Sequence, residues 1–492
     1  MLHNKVGEQK SYNQFGHFKL LLVASALFSI LNAQSFSDFK RSQSDSFTSY
    51  KDEKDKTFNN YLKSSWEAYS SKKPISLYEK PKPVEITRAR HRNIKKIGPK
   101  VNIKIKKDDS INKNVKISKP ADVISDNKDV IFDFFGTSVG FNIPKGMQRS
   151  KFYPQNQKGI KNFFDSAAVS DYEYLVDEIN KVSNNFNLND WGKYLLIKKI
   201  SEKIFLNQDD ARLLSWFIFN KLGYSVRVGL ANKHVILMHH SKKTIYSTPN
   251  YSIDNKKFYV ISNYGQGSVG RIFTYKQNYP DSDKAFDLSM ETLPNFNEDI
   301  KSKLLSFRQY GKKYNINYNY NQNLLDFMST YPQADYETFF NTPLEENTYK
   351  DIALGLKKEI NGKRASEAIN FVLNFVQNAF KYEVDAQQFG REKVMFAEET
   401  LYYDKSDCED RAILFSYLIK ELFSISVVGV KYKDHMATAL YIPMNGDSVK
   451  VHKKKFVIAD PTYLNASIGQ SMPRYKPVKP ESFIIVKNST RK

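Results

Sequence analysis

Beyond residue 129, short apolar runs alternate with longer stretches in which apolar residues return at helical spacing. VIFDFFGTSVGFNI (130–143) reads as strand, whereas NDWGKYLLIKKISEKIF (189–205) and DDARLLSWFIFNKLG (209–223) read as helices. YSVRVGL, KHVILMHH, KTIYST and FYVIS then follow as short strands with turn residues between them. Residues 265–345 are mixed: RIFTY (271–275) and KYNINYNYN (313–321) have strand character, and a helix is expected near 322–330. From 346 the order of parts repeats. Two helices are expected within 350–381, an irregular stretch to 406 and a helix at 408–423, followed by the strands VVGV, MATALYI and KFVIAD. The pattern predicts an α+β protein.

Upstream the texture differs. In the segment 34–71, Phe47, Tyr50, Phe58, Tyr61, Trp66 and Tyr69 fall on one face of an expected amphipathic helix over 44–70. Residues 72–119 carry sixteen Lys/Arg against four Asp/Glu, an excess of twelve in a chain of net charge +22. With EKPKPVE and few large apolar residues, 72–128 reads as an extended basic linker. Its charge suits a non-specific anionic partner, such as an envelope surface. Aromatic interleaving or a reading module for specific nucleic-acid recognition is not visible. Lys5, Lys10 and Lys19 precede the apolar run LLLVASALFSI (20–30), and LNA follows; residues 1–33 therefore read as a secretory signal peptide cut after Ala33. An exported chain with one cysteine has no internal disulfide framework.

An offset of 200 residues lays CEDRAILFSYLIKELFSISVVGV (408–430) over QDDARLLSWFIFNKLGYSVRVGL (208–230). Asp410 meets Asp210, Leu414 meets Leu214 and Gly429 meets Gly229. One residue of slip brings His435 onto His234, and ADPTY (459–463) resembles STPNY (247–251). The chain is thus expected to contain a duplication: a first copy over 129–264, a β-rich connection over 265–345 and a second copy over 346–492. The first copy has Gln208 and Thr248 where the second has Cys408 and Asp460, so it is read as degenerate.

The single thiol, Cys408, stands at the start of an apolar-striped helix. Ser406 with Glu409 fits a capping box, which leaves Cys408 in the first turn, where free N–H groups and the helix dipole favour a thiolate or an oxyanion. Asp407, Glu409 and Asp410 act the other way, because nearby carboxylates raise a thiol pKa. The thiol needs a cation. His435, opening the strand after the helix's own strand, could supply it, and Asp460, ending the next strand, could orient the imidazole. Gln377 on the preceding helix is a candidate oxyanion donor, with packing as its other reading. His452, among lysines, reads as an exposed turn residue.

DCEDRA on a helix, a hairpin with DHMA and a strand ending in ADPTY together resemble the transglutaminase-like cysteine-enzyme superfamily in its bacterial form. The resemblance covers about 350–465. It implies a papain-like α+β core with Cys408 as nucleophile, His435 as general base and acid, and Asp460 as orienter. One departure is Ser406, where many members have Gly. The expected function is acyl transfer at an amide by an exported, periplasmic or envelope-associated cysteine enzyme, with peptide hydrolysis leading. A protein or peptide is the substrate, and no cofactor or metal is called for. A rival of another class is a non-catalytic envelope protein that uses transglutaminase-like modules to bind a partner. GQGSVG (265–270) precedes a strand pattern and lacks the helix a phosphate site needs. MHH (238–240) with His234 offers no evident third metal ligand.

Overall fold

The computed structural model describes residues 51–90, 96–105, 127–265 and 267–487. The expected signal peptide, the segment 34–50 and residues 106–126 of the expected linker lie outside them. The chain divides into two compact units, Met1–Leu62 and Lys63–Lys492. In the first, residues 51–61 form helix α1. The second is a mixed α+β structure.

The second unit opens on strand β1 (Glu67–Ser70). The strand-like run at 130–143 is a hairpin, β2 (Val130–Phe134) and β3 (Thr137–Phe141), turned by Phe135 and Gly136. Both turn residues have positive φ, 49° and 77°, as a two-residue hairpin connection with strand-matched twist requires. Helices α2 (Lys145–Gln148), α3 (Gln157–Ala168) and α4 (Glu173–Asn185) lead to α5 (Asp190–Ile204) and α6 (Gln208–Lys221). Asn189 and Asn207 cap these last two by accepting first-turn N–H groups. Strands β4 (Val226–Ala231), β5 (His234–His240), β6 (Asn250–Ile253), β7 (Lys256–Tyr259) and β8 (Arg271–Thr274) complete this half.

A long hairpin, β9 (Ile300–Gln309) and β10 (Lys312–Asn321), is followed by α7 (Gln322–Ser329), α8 (Tyr336–Asn341), α9 (Glu346–Ile360) and α10 (Ala365–Ala379). Then come β11 (Lys381–Tyr382), α11 (Asp385–Gln388), α12 (Ala397–Tyr402) and β12 (Lys405–Ser406). Helix α13 (Cys408–Phe423) is buried on nearly every face, so its apolar residues run all round it. Strands β13 (Val427–Lys431), β14 (Met436–Leu440), β15 (Ser448–Val451), β16 (Lys454–Ala459) and β17 (Ser482–Ile485) follow.

Two antiparallel sheets share one strand order. The first runs β1-β8-β4-β5-β7-β6 and the second β17-β13-β14-β16-β15. Removing β1 makes the match strand for strand. Each has a helix feeding a hairpin, a second hairpin outside it, and a late strand returning beside the first. The glycines match too. A Cβ on Gly229 would lie 2.8 Å from Ile272 of β8, and one on Gly429 would lie 3.2 Å from Ile484 of β17 and 2.9 Å from Phe340. The late strand crosses closely at both positions.

The ladders revise the alignment beyond the helix. Ala231 pairs with His234, and Lys431 pairs with Met436. His234 therefore matches Met436, and His435 lies in a turn two residues longer than its counterpart. Tyr251 lies in β6, whose counterpart is β15, whereas Tyr463 follows β16. Thr248 is consequently not the equivalent of Asp460; residues after β7 are.

Other expectations are corrected. Trp66 and Tyr69 do not continue a helix: Glu67–Ser70 is β1, paired with β8 along the sheet edge. KTIYST forms no strand; the strand falls at Asn250–Ile253, where the alternate residues Tyr251 and Ile253 are buried. The region 265–345 is more than a connection. Tyr318 on β10 donates to the Leu401 carbonyl (2.7 Å), and Phe307 on β9 packs on Phe371 and Phe375 of α10.

The largest correction is the basic linker. Residues 72–90 and 96–105 are a packed, extended strap. The Lys72 N–H donates to Asn250 O, Ser247 N–H to Ile75 O, Ala89 N–H to Leu464 O and Val101 N–H to Lys363 O. Ala89 is buried in the same cluster as Val428, Ala439 and Ile458. Backbone pairing gives a Pro-interrupted, weakly apolar segment an ordered path that periodicity does not announce.

One buried acid makes a prediction for this fold. Glu398 on α12 accepts from Thr348 Oγ1 (2.7 Å) and the Glu345 N–H (3.1 Å), and burial pushes its pKa up to about 7. A folded pKa above the ordinary 4.5 favours folding fully below about pH 4.5, and this contribution is lost as pH rises through 7. Glu398→Gln mimics the protonated acid. Its stability relative to wild type should grow from little at pH 4 to about 3 kcal/mol at most at pH 8. Urea midpoints at the two pH values check this; a pH-independent difference would refute it.

Candidate active site

The helix bearing the thiol starts at Cys408, as its periodicity suggests, but its cap lies one residue later than Ser406. Asp407 is the N-cap and Cys408 the first helical residue. The N3 residue is Asp410, whose Oδ2 accepts the Asp407 N–H (3.1 Å), while its Oδ1 accepts the Met395 N–H (2.9 Å). Asp210 accepts the Phe152 N–H (2.7 Å) at the matching place on α6. Ser406 is not the cap. Its hydroxyl accepts from Arg411 Nε (3.1 Å), while Arg411 Nη1 and Nη2 reach the carbonyls of Gln377 (3.3 Å) and Phe380 (2.8 Å) at the end of α10.

Cys408 is fully buried. Its Sγ donates to Glu409 Oε2 (3.2 Å), and Tyr78 Oη lies 3.9 Å from the sulfur while donating to the same carboxylate oxygen (3.1 Å). The required cation is present, but it is a lysine. Lys82 Nζ approaches Asp385 (2.9 Å), Glu392 (2.8 Å), Glu409 Oε1 (2.9 Å) and Asp407. Tyr78 and Lys82 both come from the strap.

The charges divide unequally around this ammonium. Burial works to raise Glu409, but Lys82 overrides it and the carboxyl falls to about 2. Burial dominates at Asp385, which rises to about 7, and pushes Asp407 and Asp410 well above the usual carboxylate range. Burial opposes the charge on Lys82 too, yet Asp407, Glu409 and Asp385 hold its pKa well above the ordinary value. For the thiol, burial, Glu409 and Asp407 outweigh Lys82, and its pKa lies well above the normal range. In this arrangement Cys408 is a neutral thiol.

His435 and Asp460 meet as expected. His435 Nε2 lies 2.9 Å from Asp460 Oδ2, and both side chains are 2% exposed. Asp460 Oδ1 accepts the N–H groups of Thr462 (2.9 Å) and Tyr463 (3.2 Å), which fixes the carboxylate as the chain leaves β16. The Tyr475 ring stacks on the imidazole at 4.6 Å between centroids. Burial first, then Asp434, raise the Tyr475 hydroxyl, which donates to Asp434 Oδ1 (3.1 Å). His435 makes no hydrogen bond to Cys408 among the described residues, and its Nδ1 makes none. The chain thus joins two of the three candidates directly, while the third, Cys408, bonds Glu409.

Gln377 is committed elsewhere. Its Nε2 faces the carbonyls of Asp460 (3.2 Å), Tyr463 (2.8 Å) and Ala466 (3.1 Å), so it grips the loop behind Asp460 and is no oxyanion donor. His452 sits in an exposed turn with φ 46°. In the first copy, His234 is exposed and its Nδ1 pairs with Asp209 (3.0 Å), the counterpart of Glu409. His239 is a core residue among Phe219, Tyr194 and Phe286, its pKa lowered to about 3 by burial. His240 Nδ1 faces the Lys257 carbonyl (3.0 Å).

Residues 78–82 are the part of the site that sequence reasoning missed. The signal was the unbalanced charge: Asp407, Glu409 and Asp410 call for a cation, and the most basic part of the chain lies upstream. Comparison with known proteins identifies nothing further, since no family model, no curated protein and no solved structure matches this chain.

Proposed function

We propose that this chain is an exported, transglutaminase-like cysteine enzyme that transfers an acyl group from an amide, with peptide hydrolysis as its reaction. The observation that supports this most is the buried His435–Asp460 pair (2.9 Å), in a chain whose single cysteine takes the first position of α13. The strand order shared by the two sheets supports a duplicated core, with the first copy as scaffold.

In the reaction, Cys408 leaves Glu409 and gives its proton to His435 Nδ1. Sγ attacks the carbonyl carbon, and N–H groups at the start of α13 are placed to receive the oxyanion. The proton passes to the leaving amine as the C–N bond breaks. Water, deprotonated by the same imidazole, then opens the thioester and restores the thiol. Asp460 holds the ring so that Nε2 is engaged and Nδ1 is free.

A chromogenic peptide ester tests the assignment. His435→Ala and Asp460→Ala should each lower the rate of Cys408 acylation by about 10²–10⁴. Equal rates in His435→Ala and wild type would refute the triad. The buried, neutral thiol favours one other reading, a module of the same fold that binds a partner without turnover. A thiol that resists acylation in every variant would support it.

A further inference from the structure

The strap does more than cross the site. Residues 75–90 touch each of its three parts in turn. The Ser247 N–H donates to Ile75 O (2.9 Å) in the first half. Tyr78 and Lys82 then cover Cys408 and Glu409. Between them Glu79 pairs with Lys433 (2.9 Å), and the Lys80 N–H donates to the Lys433 carbonyl (3.3 Å), two residues before His435. The Pro83 carbonyl accepts from Tyr382 Oη (2.7 Å). Beyond it, Thr87 and Ala89 bracket Leu464 through two backbone bonds, four residues past Asp460.

We propose that residues 75–90 occupy the groove in which a substrate polypeptide lies, and that the carboxylates around Lys82 form a subsite for its Lys or Arg side chain. This rests on the proposed acyl-transfer function and adds to it a substrate class: an extended basic peptide. Two independent features point this way. Apart from the Pro83 carbonyl, the backbone pairing is with main-chain groups, which reads an extended chain whatever its side chains. The occupant of the acidic pocket is a primary ammonium, already held by Asp385, Glu392, Asp407 and Glu409. Of these carboxylates only Glu409 also bonds a triad member, accepting from Cys408 Sγ through its other oxygen. Pro81 and Pro83 hold Lys82 extended without needing N–H partners.

The occupied groove also closes the enzyme, because the thiol is fully buried beneath Tyr78. A substrate must displace the chain's own segment, and the cation it offers to the pocket replaces Lys82. Recognition of a basic side chain and opening of the site become one event.

Alkylation of Cys408 by N-ethylmaleimide tests this in the full chain. Tyr78→Ala should raise the rate at least tenfold, and Tyr78→Phe less than threefold. In the Tyr78→Ala chain, millimolar free peptide of sequence 75–90 should return the rate to near the wild-type value. The same peptide carrying Lys82→Met should protect at least tenfold less well. Slow alkylation in a folded Tyr78→Ala chain would overturn the occlusion, and equal or no protection by the two peptides would overturn the subsite. If Tyr78→Ala does not fold, the two peptides are compared on the wild-type chain in urea below its unfolding midpoint, with the same criteria. Alkylation reads access to the thiol and not turnover, so this result stands apart from that of His435→Ala.

Discussion

Lys82→Met is expected to lower stability by about 3–5 kcal/mol at pH 7, with part of the loss recovered near pH 4. Lys82 is the ammonium held among Asp385, Glu392, Asp407 and Glu409. With it, Glu409 has a folded pKa of about 2, below the ordinary 4.5. A depressed carboxyl contributes stability that is present above about pH 4.5 and is lost as pH falls through 2. That contribution is about 3 kcal/mol. Without Lys82, burial acts alone and lifts Glu409 above its unfolded value. The sign reverses, and ionisation then opposes folding at every pH above 4.5. Asp385, already raised to about 7, is driven further. Near pH 4 the carboxyls of the folded variant are protonated and the variant's own penalty disappears, so the gap from wild type narrows, while the Glu409 contribution of wild type persists until pH falls toward 2. Lys82→Arg keeps the charge and should lose less than half as much. Urea titrations at pH 4 and 7 provide the check. A loss that is the same at both would show that Lys82 acts by packing alone.

The strap also marks the boundary of what the sequence makes legible. Helix α13 and strands β13 and β14 follow from periodicity, because each buries its apolar residues within a few positions of one another. The order Cys408, His435, Asp460 is local in the same sense, and the 200-residue offset holds across α6 and β4, where burial fixes spacing. It fails in the turns, where two extra residues before Met436 cost the core nothing, so sequence similarity lays His435 over His234 while the ladders match His234 to Met436. Tyr251 and Tyr463 look alike because Pro and Tyr close many turns. Glu67–Ser70 shows the ambiguity of four residues: Trp66 and Tyr69 fit a helical face, but pairing with β8 decides the matter. Lys82 carries no pattern at all. Its carboxylates lie some 300 residues away in sequence, and a lysine that will be buried looks like any other in a basic run.

Arg411→Met should have an effect of similar size, and it tests whether one side chain holds the site together. Arg411 is fully buried, and burial lowers its pKa to about 10, so it stays charged at neutral pH. Its three nitrogens reach Ser406 Oγ, Gln377 O and Phe380 O. Ser406 directly precedes the Asp407 cap and Cys408. Gln377, in turn, grips the carbonyl of Asp460 through its amide. The guanidinium therefore connects the residue preceding the cap of the thiol's helix to the residue that holds the main chain at Asp460. Methionine matches much of the volume but leaves a buried hydroxyl and two carbonyls without their donor, and removes a positive charge close to Asp407 and Asp410. Each unmet group costs about 1–3 kcal/mol, which gives a loss of about 3–5 kcal/mol after relaxation. Lysine is expected to recover only part of it, because one ammonium cannot span the three acceptors that a planar fork reaches. The unfolding midpoint measures the loss. In the Tyr78→Ala background, Arg411→Lys should also slow acylation of Cys408 while leaving its alkylation rate within a few-fold. A loss under 1 kcal/mol, or equal effects on both rates, would show that Arg411 neither braces the helix start nor positions the triad.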